Sequence, residues 1–163
     1  MVRWHAMADA DFAWLLGEGP AQAAGMMLGE ESSSPEIMAM LRDIANRLEV
    51  EAGGPVAWLI VSEGKAAGMI SFTRRGADGR YEIGYGMAPA YEKRGLMTEA
   101  IGILLPLLAR QGHDGLTAET SVDNPGSQHV LARNGFVRTG ERDDPDDGAL
   151  VTWAIDLTSG TKA

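Results

Sequence analysis

The chain has 163 residues and a formal net charge of −9, with 45% hydrophobic and 23% charged residues. That size suits one domain with a sizeable core, and the acidic surface argues against nucleic acid as the main partner, because phosphate is repelled by it. Cysteine is absent and histidine occurs only as His5, His113 and His129, which excludes disulfides, thiolate metal sites and a cysteine nucleophile and leaves no metal-binding spacing.

No apolar run is long enough to span a bilayer, and the start lacks a basic-then-apolar signal. The expectation is therefore a cytoplasmic protein with no membrane partner and no metal. The same negative field favours cationic partners, amines included.

The opening "VRWHAMADADFAWLLGEG" reads as a short extended segment and an amphipathic helix over about 8–16. Phe12, Leu15 and Leu16 share helical spacing, and Asp9 suits a first turn. A second helix has a clear start, with Ser34 as N-cap, Pro35 at the first helical position and Glu36 in the first turn. Ile37, Met40, Leu41, Ile44 and Leu48 mark one face, and Gly53-Gly54-Pro55 ends it. Three antiparallel strands follow over 56–62, 66–74 and 81–87, with turns at Glu63-Gly64 and Ala77-Asp78-Gly79.

Next, "APAYEKRGLMTEAIGILL" opens a third helix within 93–97. Pro106 inside it removes the hydrogen bond to the Gly102 carbonyl, which predicts a kink or a break near 102–106. "GLTAETSVD" is a further strand, "NPGSQHVLARNG" a short helix, and strands over 136–142 and 150–157 close the chain around "DDPDDG". In the short helix Asn124 can cap, Pro125 stands at the first position, Val130 and Leu131 face inward, and Gly135 ends it with Phe136 as apolar partner. The whole is an α/β (α+β) single domain over 1–163, with a mixed, mostly antiparallel sheet of six or seven strands and about four helices.

Two stretches carry chemistry. In "YEIGYGMAPAYEKRGLMTEA" a strand ends before Pro89 and a helix starts beside Gly95. Backbone N–H groups there lack intrahelical partners, and with the helix dipole they make either an anion site or a solvated cap. Lys93 and Arg94 add charge and Thr98 a hydroxyl, so phosphate is the natural ligand. Neither a Walker loop nor G-x-G-x-x-G is present.

Taken together, "EIGYGMAPAYEKRGLMTEA" and the later "NPGSQHVLARNGF" resemble the GNAT superfamily of N-acetyltransferases, and its ribosomal-protein N-terminal acetyltransferase (RimJ/RimL-like) branch in particular. The resemblance implies that acetyl-CoA is bound and gives up its acetyl group to an amine. It places the pyrophosphate on Lys93, Arg94, Gly95, Leu96, Met97 and Thr98, and pairs the pantetheine arm with the backbone at Met87 and Ala88. By the same resemblance Asn124 contacts the cofactor arm, and Ser127 stabilises or protonates the departing thiolate. Three residues depart from the pattern: Glu92 at a polar or basic position, Lys93 where the branch has its first Gly, and Met97 at a small position. A bulky Met97 would weaken binding or shift the loop, and the charge of Lys93 would offset it.

An alkylamine with a pKa near 10 is mostly protonated at neutral pH, so a base is useful and the leaving thiolate wants a donor. Glu82 is the candidate base; the alternative is an outward-facing strand glutamate. Ser127 is the thiolate stabiliser or a second capping hydroxyl, and Tyr81 and Tyr85 are reserve proton donors or packing residues. Without cysteine, direct attack in a ternary complex is expected. His129 reads as a surface residue. "ERDDPDDGAL" and "GEESSSPE" read as solvated turns, although either could attract a cationic acceptor. The four tryptophans pack, Trp14 being the one that could wall an acceptor pocket. The acceptor is a peptide N-terminus or a small-molecule amine, and the protein a monomer or homodimer. A non-catalytic acyl-CoA binding or sensing module is the alternative.

Overall fold

The computed structural model describes residues 2–22, 27–28 and 34–157. The elements run β1 (Val2–Ala6), α1 (Asp9–Leu15), β2 (Met27–Leu28), α2 (Pro35–Ala52), β3 (Ala57–Ser62), β4 (Lys65–Arg75) and β5 (Tyr81–Met87). A 3-10 turn (Pro89–Tyr91) leads to α3 (Leu96–Arg110), followed by β6 (Gly115–Ser121), α4 (Pro125–Arg133), β7 (Val137–Asp144) and β8 (Gly148–Asp156). The chain divides into two compact units, residues 1–74 with 84–100 and residues 75–83 with 101–163.

In the first unit the strand order is β1-β3-β4-β5, with the two-residue β2 lying parallel to β4. β1 and β3, and β3 and β4, pair antiparallel. The β3–β4 hairpin closes through Glu63-Gly64, both left-handed (φ 54° and 76°), with Ser62 facing Lys65. This is the twist-matched two-residue turn expected of such a dipeptide. The core gathers Phe12, Trp58, Ile60, Ile70 and Phe72, with the Trp58 and Phe72 rings edge to face at 5.4 Å.

Helix α2 begins as expected, since the Ser34 hydroxyl accepts from the Ile37 N–H at 3.2 Å, and Gly53 ends it in the left-handed conformation (φ 73°). Its inward face agrees with the expected one at Leu48 and departs from it at the N-terminal end. Ala45 and Leu48 are buried, whereas Ile37 and Met40 are about half exposed, at 48% and 53%. Helical periodicity names a stripe, but the helix packed against it decides which edge is covered. Here α1 is that neighbour, tied on by Arg42, which donates to both Asp9 carboxylate oxygens (2.6 and 2.7 Å) and to Glu18 (3.2 Å). The Arg42 and Asn46 hydrogen bonds hold the Asp9 carboxyl well below the ordinary aspartate range.

In the second unit the order is β5-β6-β8-β7, with β5 and β6 parallel and the other pairs antiparallel. Among the described residues seven strands thus lie on the hydrogen-bonded path, with β2 beside it. β7 extends to Asp144, so the closing turn is shorter than the expected "DDPDDG". Helix α3 continues unbroken through Pro106, which overturns the expected alternative of a break. Gly102, whose carbonyl loses its donor, has no side chain to crowd the proline ring, and a Cβ there would meet the Asn134 Oδ1 at 3.1 Å.

Candidate functional site

In the first unit, β5 is the terminal strand and its C-terminal end lies hard against β4. The Ala88 N–H donates to the Ala67 carbonyl at 2.8 Å. A Cβ on Gly68 would come within 2.5 Å of the Met87 Sδ and 2.6 Å of the Gly86 carbonyl, so only glycine permits this approach. Pro89 stops the strand and starts the 3-10 turn, in which the Tyr91 N–H donates to the Ala88 carbonyl at 2.9 Å. Ala67, Ala88 and Tyr91 form a buried cluster with Met87 and Leu96 packed on it, so the strand end and the helix start share one support.

From this support the chain turns sharply. Lys93 is left-handed (φ 61°), and so is Gly95 (φ 73°). The first intrahelical bond of α3 runs from the Glu99 N–H to the Gly95 carbonyl at 3.0 Å, which makes Gly95 the N-cap. The N–H groups of Leu96, Met97 and Thr98 precede that bond, and Gly95 has no side chain to cap them. Left-handed residues alternating with ordinary ones form a concavity lined by backbone N–H groups, and the helix dipole points its positive end there. Glu92, Lys93, Arg94 and Gly95 are exposed, Leu96 and Thr98 half-buried. The Arg94 guanidinium lies 5.3 Å from the centre of the Tyr91 ring.

Two of the out-of-pattern residues now have a physical account. Met97 is only 7% exposed, so its side chain packs inward and does not stand over the turn. Lys93 occupies a backbone conformation that glycine adopts freely and lysine at a cost of roughly 1 kcal/mol. The sequence marks Lys93 by its charge and by its place where the resembled branch has its first Gly; the left-handed backbone itself shows only in the structure.

The second unit holds the remaining candidates. Glu82 pairs with Thr117 across β5 and β6, between Tyr81 (opposite Leu116) and Ile83 (opposite Ala118). Tyr81 and Ile83 are buried and Glu82 half-buried, so strand alternation puts its carboxylate on the face away from theirs. At α4 the Asn124 Oδ1 accepts from the Ser127 N–H at 3.1 Å, and the Gln128 N–H donates to the Asn124 carbonyl at 3.2 Å. The Asn124 oxygen therefore serves the helix, and its amide NH2 takes no part in that cap. Ser127 does not hold the N-cap; it sits half-buried in the first turn. The far end closes as expected, with Gly135 left-handed (φ 89°), its N–H donating to Ala132 at 3.2 Å and that of Phe136 to Leu131 at 3.1 Å.

Most of the other candidates make contacts within the fold. The His5 Nε2 bonds to the Asp11 Oδ1 at 2.7 Å, and the buried Asp11 also accepts from the Ala8 N–H at 2.7 Å, which ties β1 to the start of α1. His113 packs edge-on against Tyr81, and burial holds its pKa below the ordinary histidine value while Asp114 pulls the other way. His129 is exposed. Trp14 is buried, and so is Trp153, whose Nε1 donates to the Thr120 hydroxyl at 3.0 Å. Asp144 accepts from the N–H groups of Asp147 (2.9 Å) and Asp146 (3.0 Å), which keeps its carboxyl below the usual range. Arg142 pairs with Glu119 and Asp144, so the acidic turn is partly neutralised from within. Gly29 to Ser33, most of the "GEESSSPE" loop, lie outside the described residues. Among the described residues no group of three or more His, Asp and Glu could hold a metal ion, and no helix is long and apolar enough to cross a membrane.

Residues 3–137 match the family model described as Acetyltransferase (GNAT) domain. The chain belongs to the GNAT acetyltransferase family. A ribosomal-protein-serine acetyltransferase of Escherichia coli (strain K12) is 32% identical to this GNAT chain over 85 residues, 51% of the chain and 48% of that protein. The chain thus spans about half the length of the curated relative it matches. A RimL ribosomal L7/L12 α-N-protein acetyltransferase, solved in complex with coenzyme A, superposes with a TM-score of 0.68 at 19% identity, covering 95% of this chain and 93% of that one. AAC(6′)-Ib in complex with paromomycin and acetyl-CoA superposes with a TM-score of 0.68 at 16% identity, covering 99% and 98%. These two likenesses establish that the GNAT fold extends over almost the whole chain.

Proposed function

We propose that this GNAT chain transfers the acetyl group of acetyl-CoA to a primary amine, by direct attack in a complex holding both substrates. The observation that carries it is the turn before α3, left-handed at Lys93 and Gly95, in a chain whose residues 3–137 match the acetyltransferase family. A diphosphate fits that turn: the backbone supplies N–H donors, Lys93 and Arg94 supply charge, and Met97 is folded out of the way. Acetyl-CoA supplies the activated acyl group. Lys93, Arg94 and the backbone of Gly95, Leu96, Met97 and Thr98 hold its pyrophosphate. The backbone at Met87, the last residue of β5, and at Ala88 just beyond it pairs with the pantetheine amides, Ala88 through its carbonyl because its N–H is given to Ala67, and Asn124 contacts the arm through its NH2.

In the reaction the amine nitrogen forms a bond to the acyl carbon and the carbon–sulfur bond breaks. The amine must lose a proton, which Glu82 takes directly or through water, and the thiolate gains stabilisation or a proton from Ser127. A peptide N-terminus suits this chemistry, since an α-amino group has a pKa of roughly 8 against roughly 10.4 for lysine. The RimJ/RimL-type resemblance favours that acceptor; the likeness to AAC(6′)-Ib keeps a small amine as the second reading. Residues 1–163 act as one domain, in the cytoplasm, as a monomer or homodimer.

The test is release of free thiol from acetyl-CoA across a panel of peptide N-termini and small amines. Turnover on at least one is expected. Glu82→Gln should lower it about ten- to a hundred-fold and move its pH dependence upward, because the amine must then lose its proton to solvent, while CoA affinity stays intact. A parent-like rate and pH profile would remove Glu82 from the mechanism. Thermal stabilisation by CoA without turnover on any acceptor would instead mark a binding module.

A further inference from the structure

We infer that Tyr91 is a positioning residue for Arg94, holding the guanidinium at the mouth of the turn before a diphosphate arrives. The inference rests on the acetyl-CoA reading and concerns a residue to which the family resemblance assigns no role. Tyr91 is a firm base, 6% exposed and buried with Ala67 and Ala88, with Met87 and Leu96 against it and its own N–H bonded to the Ala88 carbonyl. The Arg94 guanidinium carbon lies 5.3 Å from the ring centre, within the reach of a cation–π attraction. The left-handed Lys93 between them folds the chain so that Arg94 returns over a ring only three positions back.

A second stacked arginine shows what differs here. Arg75 lies 5.4 Å from the centre of the Tyr81 ring, but its Nε also donates to the Gly79 carbonyl at 3.1 Å, so that contact clamps a turn. Arg94 is exposed and, among the described residues, pairs with no carboxylate, so its charge stays available to a ligand. An arginine otherwise samples many rotamers, and ordering it on the ring removes part of the entropy lost when it grips a phosphate. The planar guanidinium suits both the stacking and a forked grip on phosphate oxygens, which a lysine ammonium cannot match.

The experiment is calorimetric titration of CoA, together with KM for acetyl-CoA and for acetyl-pantetheine, which lacks the diphosphate. It compares the parent with Tyr91→Leu, Tyr91→Phe, Arg94→Ala and the Tyr91→Leu/Arg94→Ala pair. Tyr91→Leu should weaken CoA binding about two- to five-fold and flatten its salt dependence. It should leave KM for acetyl-pantetheine unchanged and add nothing to Arg94→Ala, and Tyr91→Phe should restore parent affinity. Equal losses with both acyl donors, or additive losses in the pair, would make Tyr91 a packing residue and overturn the inference. Should Tyr91→Leu fail to fold, Arg94→Lys keeps the charge without the planar stack; the same loss is expected, and parent affinity overturns the proposal. A parent that binds no CoA defeats the acetyl-CoA reading and this inference with it. A parent that binds CoA with Arg94→Ala at full affinity defeats this inference alone.

Discussion

Two helices of this protein start in opposite ways. Helix α4 finishes its own N-terminus, with the Asn124 side chain accepting from Ser127 and Pro125 having no N–H to satisfy, and Gly135 with Phe136 closes its far end. At α3, Gly95 holds the N-cap position with no side chain, behind a strained Lys93. A cap that satisfies its own backbone stabilises the fold; one that leaves the backbone N–H groups to an outside anion is suited to binding. The contrast therefore separates a helix start that caps itself from one whose geometry suits an anion.

The hardest way to break the contrast is Gly95→Glu. It forces a side chain into a left-handed position and sets a carboxylate where the ligand anion belongs. CoA affinity should fall at least about a hundred-fold by titration, while the fold survives because a carboxylate suits a helix N-terminus. Parent-like affinity would remove the turn from the binding site.

Asn124→Ala addresses the self-capped helix. It should cost about 1 kcal/mol of stability in chemical denaturation, and an unchanged midpoint would show that the cap contributes nothing. The subtlest change is Lys93→Gly, expected to move two readouts in opposite directions. Relief of the left-handed lysine should stabilise the fold by roughly 0.5 kcal/mol, while loss of the cation weakens CoA binding about two- to three-fold with a flatter salt dependence. Lower stability would show that Lys93 makes a contact worth more than its strain.

Much of the architecture was legible because it is encoded locally. Ser34-Pro35, Glu63-Gly64 and Gly135-Phe136 each specify a helix start, a hairpin or a helix end through their own donors, acceptors and allowed φ, whatever surrounds them. The paired motifs around Gly95 and Asn124 likewise pointed to the acetyltransferase family, which the match over residues 3–137 established. The less legible features depend on neighbours far along the chain. The exposure of Ile37 and Met40 follows from where α1 lies on α2, and the short β2 exists only through its pairing with β4.

The candidate site divides in the same way. The sequence by itself determined which residues could bind an anion and take a proton, because lysine, arginine, glutamate and an uncapped glycine turn carry that chemistry wherever they stand. Only the tertiary structure decided that Met97 points inward, that Lys93 is left-handed and that Arg94 lies over Tyr91. The physical reason is that direction, strain and stacking are relations between packed groups: the buried cluster of Ala67, Ala88 and Tyr91 is assembled from β4 and the 3-10 turn that follows β5, and the turn at Lys93 and Gly95 takes its shape on that support.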